Sequence, residues 1–157
     1  MSQLEVNFSQ PTPAAIRHIA DNMREQDVRE VAASHGHAPY EALQFSVKNS
    51  QFSTVASISG EPFCVFGLST GESAITHVGS PWMLGTKKVS VYRRPFLRAS
   101  FDVVEDMLKE SDLLVNHVHV ENHVSIKWLR ALGFTIESPV EYGINKELFH
   151  QFHLRKT

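Results

Sequence analysis

The stretch VHVENHVSIKWLRALGF, residues 118–134, decides which fold the chain is expected to adopt. It begins with the alternating apolar residues of a strand, continues with apolar residues at helical spacing, and reaches Gly133, a residue that favours a helix C-terminus. Asn122 and Ser125 lie where the strand gives way to the helix. The stretch therefore predicts a strand, a polar turn and a helix that stops where another strand begins at Phe134.

Short elements extend outward from this stretch in both directions. Upstream, residues 4–8 alternate like a strand, and Thr12 followed by Pro13 is typical of a capped helix start. Two more helices and a meander of three strands follow, and then a helix with an apolar stripe; their predicted ranges are 25–34, 39–48, 52–59, 62–68, 73–84 and 95–111. Strands at residues 113–120, 134–136 and 148–154 complete an α/β (α+β) arrangement of helices against one mixed sheet.

Composition limits the classes of function. The chain has 157 residues, 42% of them hydrophobic, and its net charge is −2, which predicts one globular domain over residues 1–157. This charge favours neither nucleic acid nor an anionic membrane as a partner. With no export segment or long apolar run, and with Cys64 as the single cysteine, we expect a cytoplasmic protein whose thiol is buried.

The spacing of residues 118–134 resembles that of the GNAT superfamily of acyl-CoA-dependent N-acetyltransferases. Asn122, Ser125 and the Leu132-Gly133-Phe134 run stand at the offsets that the family uses. The resemblance implies a mixed, twisted sheet of six to seven strands with helices on both faces. It also implies a V-shaped gap between the third meander strand and the strand at residues 113–120, and it makes acetyl-CoA the expected cofactor.

A second set of residues resembles the acetyltransferase-like proteins of short-tailed bacteriophages, a family of internal virion or morphogenesis proteins. The residues that carry this likeness are GSPWMLG at 79–85, YRR at 92–94, FLR at 96–98, Asn122 and Trp128. This resemblance implies location in the host cell cytoplasm or in the virion, with other virion proteins as possible partners. Because fold alone does not establish function, it leaves an enzyme and a noncatalytic assembly protein open.

The expected phosphate-binding loop departs from the family pattern. GNAT enzymes cradle the CoA pyrophosphate on a glycine-bearing loop at a helix N-terminus, where free N–H groups and the helix dipole favour anions. Residues 87–99 contain no glycine, and Pro95 has no N–H. They carry five cations instead, which can bind phosphate or form a solvated or docking surface: Lys87, Lys88, Arg93, Arg94 and Arg98.

The acid and base positions also depart from the pattern. Many GNAT enzymes have a tyrosine seven residues after the asparagine, and this chain has Leu129 there, so Tyr92, Tyr142 or water would have to protonate the leaving thiolate. His77 and Glu72, on the third meander strand, are the candidate bases that the resemblance implies. The competing interpretation is that both are ordinary surface or packed polar residues with no catalytic function.

The expected cofactor contacts complete the candidate site. The resemblance implies that the backbone of Trp82, Met83 and Leu84 pairs with the pantetheine arm and that Arg93, Arg94 and Arg98 meet the phosphates. Asn122 and Ser125 would line the thioester end. His117 and His119 share a strand face and His123 follows, but no Asp or Cys nearby completes a ligand set, so no metal site is predicted.

The sequence thus predicts a phage-encoded GNAT-like N-acetyltransferase that transfers an acetyl group from acetyl-CoA to an unidentified amine, a small molecule or a protein. The alternative is a noncatalytic internal virion or assembly protein that keeps the fold and is indifferent to CoA. The sequence does not indicate an oligomeric state.

Overall fold

The computed structural model describes residues 4–70 and 77–157. Within them, the bounds of the helices are α1 Pro13–Asp21, α2 Glu25–His35, α3 Pro39–Lys48, α4 Lys88–Val91, α5 Arg93–Glu110 and α6 His123–Ala131. Thr12 Oγ accepts a hydrogen bond from the Ala15 N–H at 3.1 Å, and Pro13 occupies the first helical position. Gly36, with φ +72°, ends α2 in the left-handed conformation that glycine adopts readily. These starts and stops were predicted and are confirmed.

The described strands form one mixed sheet. Their bounds are β1 Asn7–Ser9, β2 Phe52–Ile58, β3 Glu61–Ser69, β4 Val78–Gly85, β5 Leu113–His119, β6 Thr135–Tyr142 and β7 Glu147–Arg155. The spatial order is β1-β2-β3-β4-β5-β7-β6, and every neighbouring pair is antiparallel except β4 and β5. The parallel pair therefore joins two antiparallel halves.

The junction between the halves opens along its length. β4 and β5 are paired only at Val78–Leu113 and Gly79–Leu114. Beyond Gly79 the two strands carry no further register pairs, although β4 continues to Gly85 and β5 to His119. The gap that the resemblance implied is thus present between these strands.

Helices cover both faces of the sheet. On one face, α1 and α3 enclose a core that includes Ile19 and Leu43 and the β-strand residues Val55, Val65 and Leu84. On the other, α4, α5 and α6 pack against the larger core, which includes Val89, Phe96, Met107, Leu114, Ile126 and Leu129. The predicted mixed sheet with helices on both faces is confirmed.

Four predicted elements differ from the structure, and the first is β1, which was predicted at residues 4–8 and spans Asn7–Ser9. The basic segment before Pro95, which precedes the predicted helix at residues 95–111, is largely helical, because it forms α4 and the first two residues of α5. The third meander strand, predicted at residues 73–84, is described from Val78 to Gly85, and His77 before it has a positive φ of 53° that departs from strand geometry. Residues 73–76 of the prediction lie outside the described residues. β6 extends to Tyr142, beyond the predicted end at residue 136. The prediction was too short because most residues of this strand are exposed and show little alternation of apolar and polar side chains.

Candidate functional site

A cavity of about 190 Å³ crosses the sheet through the gap between β4 and β5. On the α5 and α6 side its wall is apolar and includes Phe96, Val104 and Leu129. On the α2 side its wall is more polar and includes Glu30, Ser34, His35, Ser46, His117 and Tyr142. One end of the cavity thus suits an apolar chain, and the other suits a polar reacting group.

Arg24 lies immediately before α2 and organises the polar residues behind the cavity. Its side chain is only 3% exposed, and its Nη2 donates to Asp27 Oδ1 at 2.9 Å, to Asn122 Oδ1 at 2.9 Å and to Ser125 Oγ at 2.7 Å. A buried guanidinium needs a carboxylate partner, and Asp27 supplies it. Arg24 therefore ties α2 to the start of α6.

The same pair fixes the end of β4. Asp27 Oδ2 accepts the Gly85 N–H at 2.9 Å, and the Arg24 N–H donates to the Gly85 carbonyl at 2.9 Å. Burial raises the pKa of Asp27, and the bonds from Arg24 and Gly85 act against that rise. At the end of β4, the backbone N–H and C=O of Gly85 on the edge that faces β5 are thus bonded to Asp27 and Arg24 instead of to β5.

Glu30 places a carboxyl group in the cavity wall on the α2 side. Its Oε1 accepts the His119 N–H at 2.6 Å, and its Oε2 accepts from Asn122 Nδ2 at 3.1 Å. Burial, and then the neighbouring Asp27 carboxylate, raise the pKa of Glu30 to about 8. A carboxyl with this pKa exchanges its proton near neutral pH, as a general base or acid must.

Two stacked rings lie in the cavity wall beside this region. The rings of His117 and Tyr142 are 3.8 Å apart and nearly parallel. Burial lowers the pKa of His117 and raises the pKa of Tyr142, so both are uncharged at neutral pH. The neighbouring His119 ring bonds Glu147 Oε1 at 2.8 Å, and this contact lowers the pKa of Glu147. Among the described residues, no cluster of three His, Cys, Asp or Glu side chains could hold a metal ion.

The free edge of β4 presents backbone groups to the gap. The Pro81 carbonyl points there, because it accepts from Asn116 Nδ2 of β5 at 2.8 Å. Strand alternation places the N–H and C=O of Met83 on the same edge, between Pro81 and the bound end at Gly85. Trp82 and Leu84 also line the cavity, and the Trp82 Nε1–H donates to Ser50 Oγ at 2.6 Å. The structure thus brings the three predicted residues of β4 to the cavity.

The predicted arginines lie at the start of α5. Arg93 and Arg94 are in its first turn, Arg98 follows about one turn later, and all three side chains are exposed. None lines the cavity, and in the described part of the chain none forms an ion pair. The first turn of α5 contains no acidic residue. The positive end of this helix therefore coincides with three free cations.

The other predicted site residues are divided between the cavity and elsewhere. Ser125 lines the cavity, whereas Asn122, 2% exposed, lies behind it and caps α6. Tyr92 packs edge-on against Phe63 and does not line the cavity. His77 is at the closed end of the gap, where its carbonyl accepts from the Asp112 N–H at 2.7 Å. Glu72 lies outside the described residues.

Sequence reasoning missed Arg24, Asp27 and Glu30. These charged residues are spaced by three at the start of α2 and along it, and the apolar residues Val28 and Val31 of the same helix also face the core. That overlap of charges with the buried side of α2 was the available signal.

The prediction of a buried Cys64 is confirmed, and burial raises the pKa of its thiol. No helix in the described part is long and apolar enough to span a membrane.

No protein-family model matches this sequence, and no curated protein is similar to it. Solved structures do resemble it. A GNAT-family acetyltransferase from Bacillus anthracis has a TM-score of 0.71 at 11% identity, over 96% of this chain and 95% of that chain. Spermidine N-acetyltransferase from Vibrio cholerae, solved with CoA and spermine, has a TM-score of 0.68 at 13% identity, over 96% and 95%.

A third similar structure is the ribosomal-protein-S5-alanine acetyltransferase of Vibrio fischeri. Its TM-score is 0.67 at 17% identity, over 99% of this chain and 95% of that chain. At these identities the likeness establishes the fold, which is that of the GNAT acetyltransferases. These comparisons provide no link to phage virion proteins.

Proposed function

We propose that this protein is an N-acetyltransferase that transfers the acetyl group of acetyl-CoA to an amine. The observation that carries the proposal is the early end of β4–β5 pairing at Gly79–Leu114, which opens a cavity across the sheet. Structures of the same fold include one solved with CoA. The gap and the two unlike ends of the cavity support a site where a thioester and an amine meet from opposite faces.

The residues present fit the CoA molecule in three places. The free C=O of Met83 offers a strand-like hydrogen bond to an amide N–H of a pantetheine arm, with Trp82 and Leu84 in the adjoining wall. Arg93, Arg94 and Arg98 offer guanidinium groups for phosphates at the positive end of α5. Ser125 lines the cavity near the start of α6, where the thioester end would lie.

Catalysis in such a site depends on position and on fixed dipoles. When bound, acetyl-CoA supplies an activated acyl carbon. The chain holds the amine and the thioester together, and the Met83 N–H can polarise the thioester carbonyl toward its anionic form. The apolar wall of Phe96, Val104 and Leu129 excludes water from the thioester.

Isothermal titration of the purified protein with acetyl-CoA tests the proposal. We expect a Kd below about 100 µM, equivalent to roughly −5.5 kcal/mol. Replacement of Arg94→Ala together with Arg98→Ala should weaken binding at least tenfold without unfolding the protein. The matched control is Arg155→Ala, an exposed arginine beside Leu113 at the closed end of the gap, which should bind as the wild type does.

A noncatalytic assembly function is the second candidate, and two observations favour it. Residues 87–99 lack the glycines of a phosphate loop, and Leu129 occupies the position that in many enzymes of this fold holds an acid. A protein of this kind would give neither heat nor thermal shift with millimolar acetyl-CoA. That result would reject the acetyltransferase proposal and make assembly the working function.

A further inference from the structure

Glu30 is distinguished by what surrounds it. Among the described residues that line the cavity, it is the single carboxylate, and the lining contains no Lys or Arg. The charged groups near it, Arg24 and Asp27, lie behind the wall and are paired with each other. An ammonium group entering from the α2 side would therefore meet one acidic group.

The orientation of the Glu30 carboxylate is set by a chain of hydrogen bonds. A guanidinium can only donate, so Asn122 Oδ1 must accept from Arg24, and the Asn122 amide cannot be flipped. Asn122 Nδ2 then necessarily donates to Glu30 Oε2. The His119 N–H holds the other oxygen. Asn122, the first residue of the GNAT-like run that ends at Phe134, thus orients the Glu30 carboxylate from behind the cavity.

We propose, on the basis of the proposed function, that Glu30 takes the proton from the ammonium form of the acceptor and that Asn122 is its positioning residue. The structure further assigns the acceptor to primary amines that have an apolar body and no carboxylate. Glu30 supplies the one counter-charge for the ammonium, and the wall offers aromatic surface beside it from His117, Tyr142 and Phe149.

The exclusion of a carboxylate follows from the cost of burying charge. An ionised group moved from water into a protein cavity without a partner of opposite charge loses hydration free energy that the cavity does not replace. Because the described lining contains no cation, an amino acid would bring its α-carboxylate into the cavity unpaired. An amine of the same shape without that group avoids this penalty.

The reaction balances with these groups alone. The Glu30 carboxylate receives one proton from the ammonium, and the freed amine nitrogen attacks the thioester carbon. A C–N bond forms, the C–S bond breaks, and the second proton of the attacking nitrogen ends on the CoA sulfur. Glu30 then releases its proton to solvent. The products are an N-acetylamine and CoA.

The pH dependence has a defined sign. Glu30 must be ionised to accept a proton, and its pKa is about 8, so kcat/KM should rise as pH increases from 6 to 9. The titratable groups that face it are Arg24 and Asp27 beside it, His35 on α2, His117 and His119 on β5, and Tyr142 on β6. Burial lowers the pKa values of His35 and His117, so both are neutral in the part of this range at and above neutral pH.

The first arm of the test replaces Glu30. Initial rates of CoA release are measured with acetyl-CoA and 2-phenylethylamine for Glu30→Gln, for Glu30→Asp and for the control Glu25→Gln, an exposed residue of the same helix. We expect Glu30→Gln to lower kcat/KM about 100-fold or more. The increase of its kcat/KM with pH should then reflect only deprotonation of the amine substrate. Glu30→Asp should recover part of the rate, and Glu25→Gln should match the wild type. A Glu30→Gln enzyme with an unchanged rate and pH profile overturns the assignment of Glu30.

The second arm tests positioning by Asn122. Loss of its donated hydrogen bond disfavours the ionised carboxylate, so Asn122→Ala should raise the apparent pKa of Glu30. Carbon-13 NMR titration of the Glu30 carboxyl follows this shift directly and needs no acceptor. Thermal unfolding of the variant is measured alongside. A folded Asn122→Ala protein with an unshifted Glu30 titration contradicts the positioning role.

The third arm tests the acceptor class and separates the two proposals. Rates with 2-phenylethylamine and phenylalanine are compared, because these amines differ by one carboxylate. We expect at least a 100-fold preference for 2-phenylethylamine, and equal rates or no turnover of either amine overturn the acceptor class. Wild-type protein that does not bind acetyl-CoA rejects the proposed function itself, whereas binding with any of the contrary results above rejects only this inference.

Discussion

Arg24 and Asp27 show how a single buried ion pair can organise a site. Their side chains are 3% and 1% exposed, and between them they contact Asn122, Ser125 and Gly85. Surface ion pairs contribute little to stability, but the removal of one member of a buried pair leaves an uncompensated charge. The pair therefore holds α2, the end of β4 and the start of α6 in one arrangement.

The Asp27→Ala variant should consequently be strongly destabilised. We expect a loss of about 3–5 kcal/mol in the free energy of unfolding, because Arg24 loses its carboxylate partner and Gly85 its acceptor. Urea denaturation measures the change. Asp106→Ala, which removes an exposed ion pair with Lys109, is the matched control and should alter stability by less than about 1 kcal/mol. Comparable losses in both variants would contradict this view of the pair.

At the scale of elements, β3 and β4 approach closely under the Trp82 ring. A Cβ placed on Gly67 would lie 2.7 Å from Trp82 Cζ2 and 2.6 Å from the Phe52 carbonyl oxygen. The Phe52 backbone cannot move easily, and the Trp82 ring is held by the hydrogen bond from its Nε1–H to Ser50. Neither group can readily make room for a methyl group at Gly67. The absence of a side chain at Gly67 therefore allows Trp82 to form part of the cavity wall.

Gly67→Ala should displace that ring. We expect a loss of about 1–3 kcal/mol in stability from overpacking, a shift in tryptophan emission and weaker acetyl-CoA binding. The control Gly60→Ala introduces strain at a φ of +80°, but its Cβ meets nothing within 4 Å. It should lose stability without a change in emission or binding. If both variants bind acetyl-CoA as the wild type does, Trp82 is not part of the binding wall.

At the scale of the whole molecule, two half-sheets meet along an incomplete seam. Two register pairs of β4 and β5 join them directly, and the Asn116–Pro81 hydrogen bond adds one contact across the gap. A ligand in the gap would add hydrogen bonds to both halves. Binding should therefore stabilise the fold as a whole and protect the backbone at the seam.

Hydrogen exchange and thermal unfolding test this expectation. At acetyl-CoA concentrations of 100 times Kd, linkage adds about 2.7 kcal/mol, which corresponds to a Tm increase of roughly 5–10 °C for a chain of this size. Exchange should slow most at residues 81–85 and 113–119. Inorganic phosphate at the same concentration should have neither effect. Protection spread evenly over the chain, or confined to α5, would place the ligand elsewhere.

The sequence by itself determined the elements of this protein. Helix starts and stops depend on residues that are close in sequence, through caps and through the spacing of apolar side chains. Examples are Thr12 with Pro13, Gly36, and the run from Asn122 to Phe134. Such effects are local, so they can be predicted without a structure. The same run led to the predicted sheet with helices on both faces, and the structure places Ser125 and residues 82–84 of β4 in the cavity wall.

Only the tertiary structure decided what Asn122 does. Its partners Arg24 and Glu30 are 98 and 92 residues away in the chain. The charges on the buried side of α2 are a local signal, but that signal does not show which distant residue they contact. Their meeting depends on how α2 packs across the gap between β4 and β5. Burial in that interface joins the local Arg24–Asp27 pair to Asn122 and Gly85 and raises the pKa of Glu30, and neither effect exists in the separate segments. The chemistry of the site thus arises from long-range packing, because desolvation and hydrogen-bond partners are properties of the folded chain.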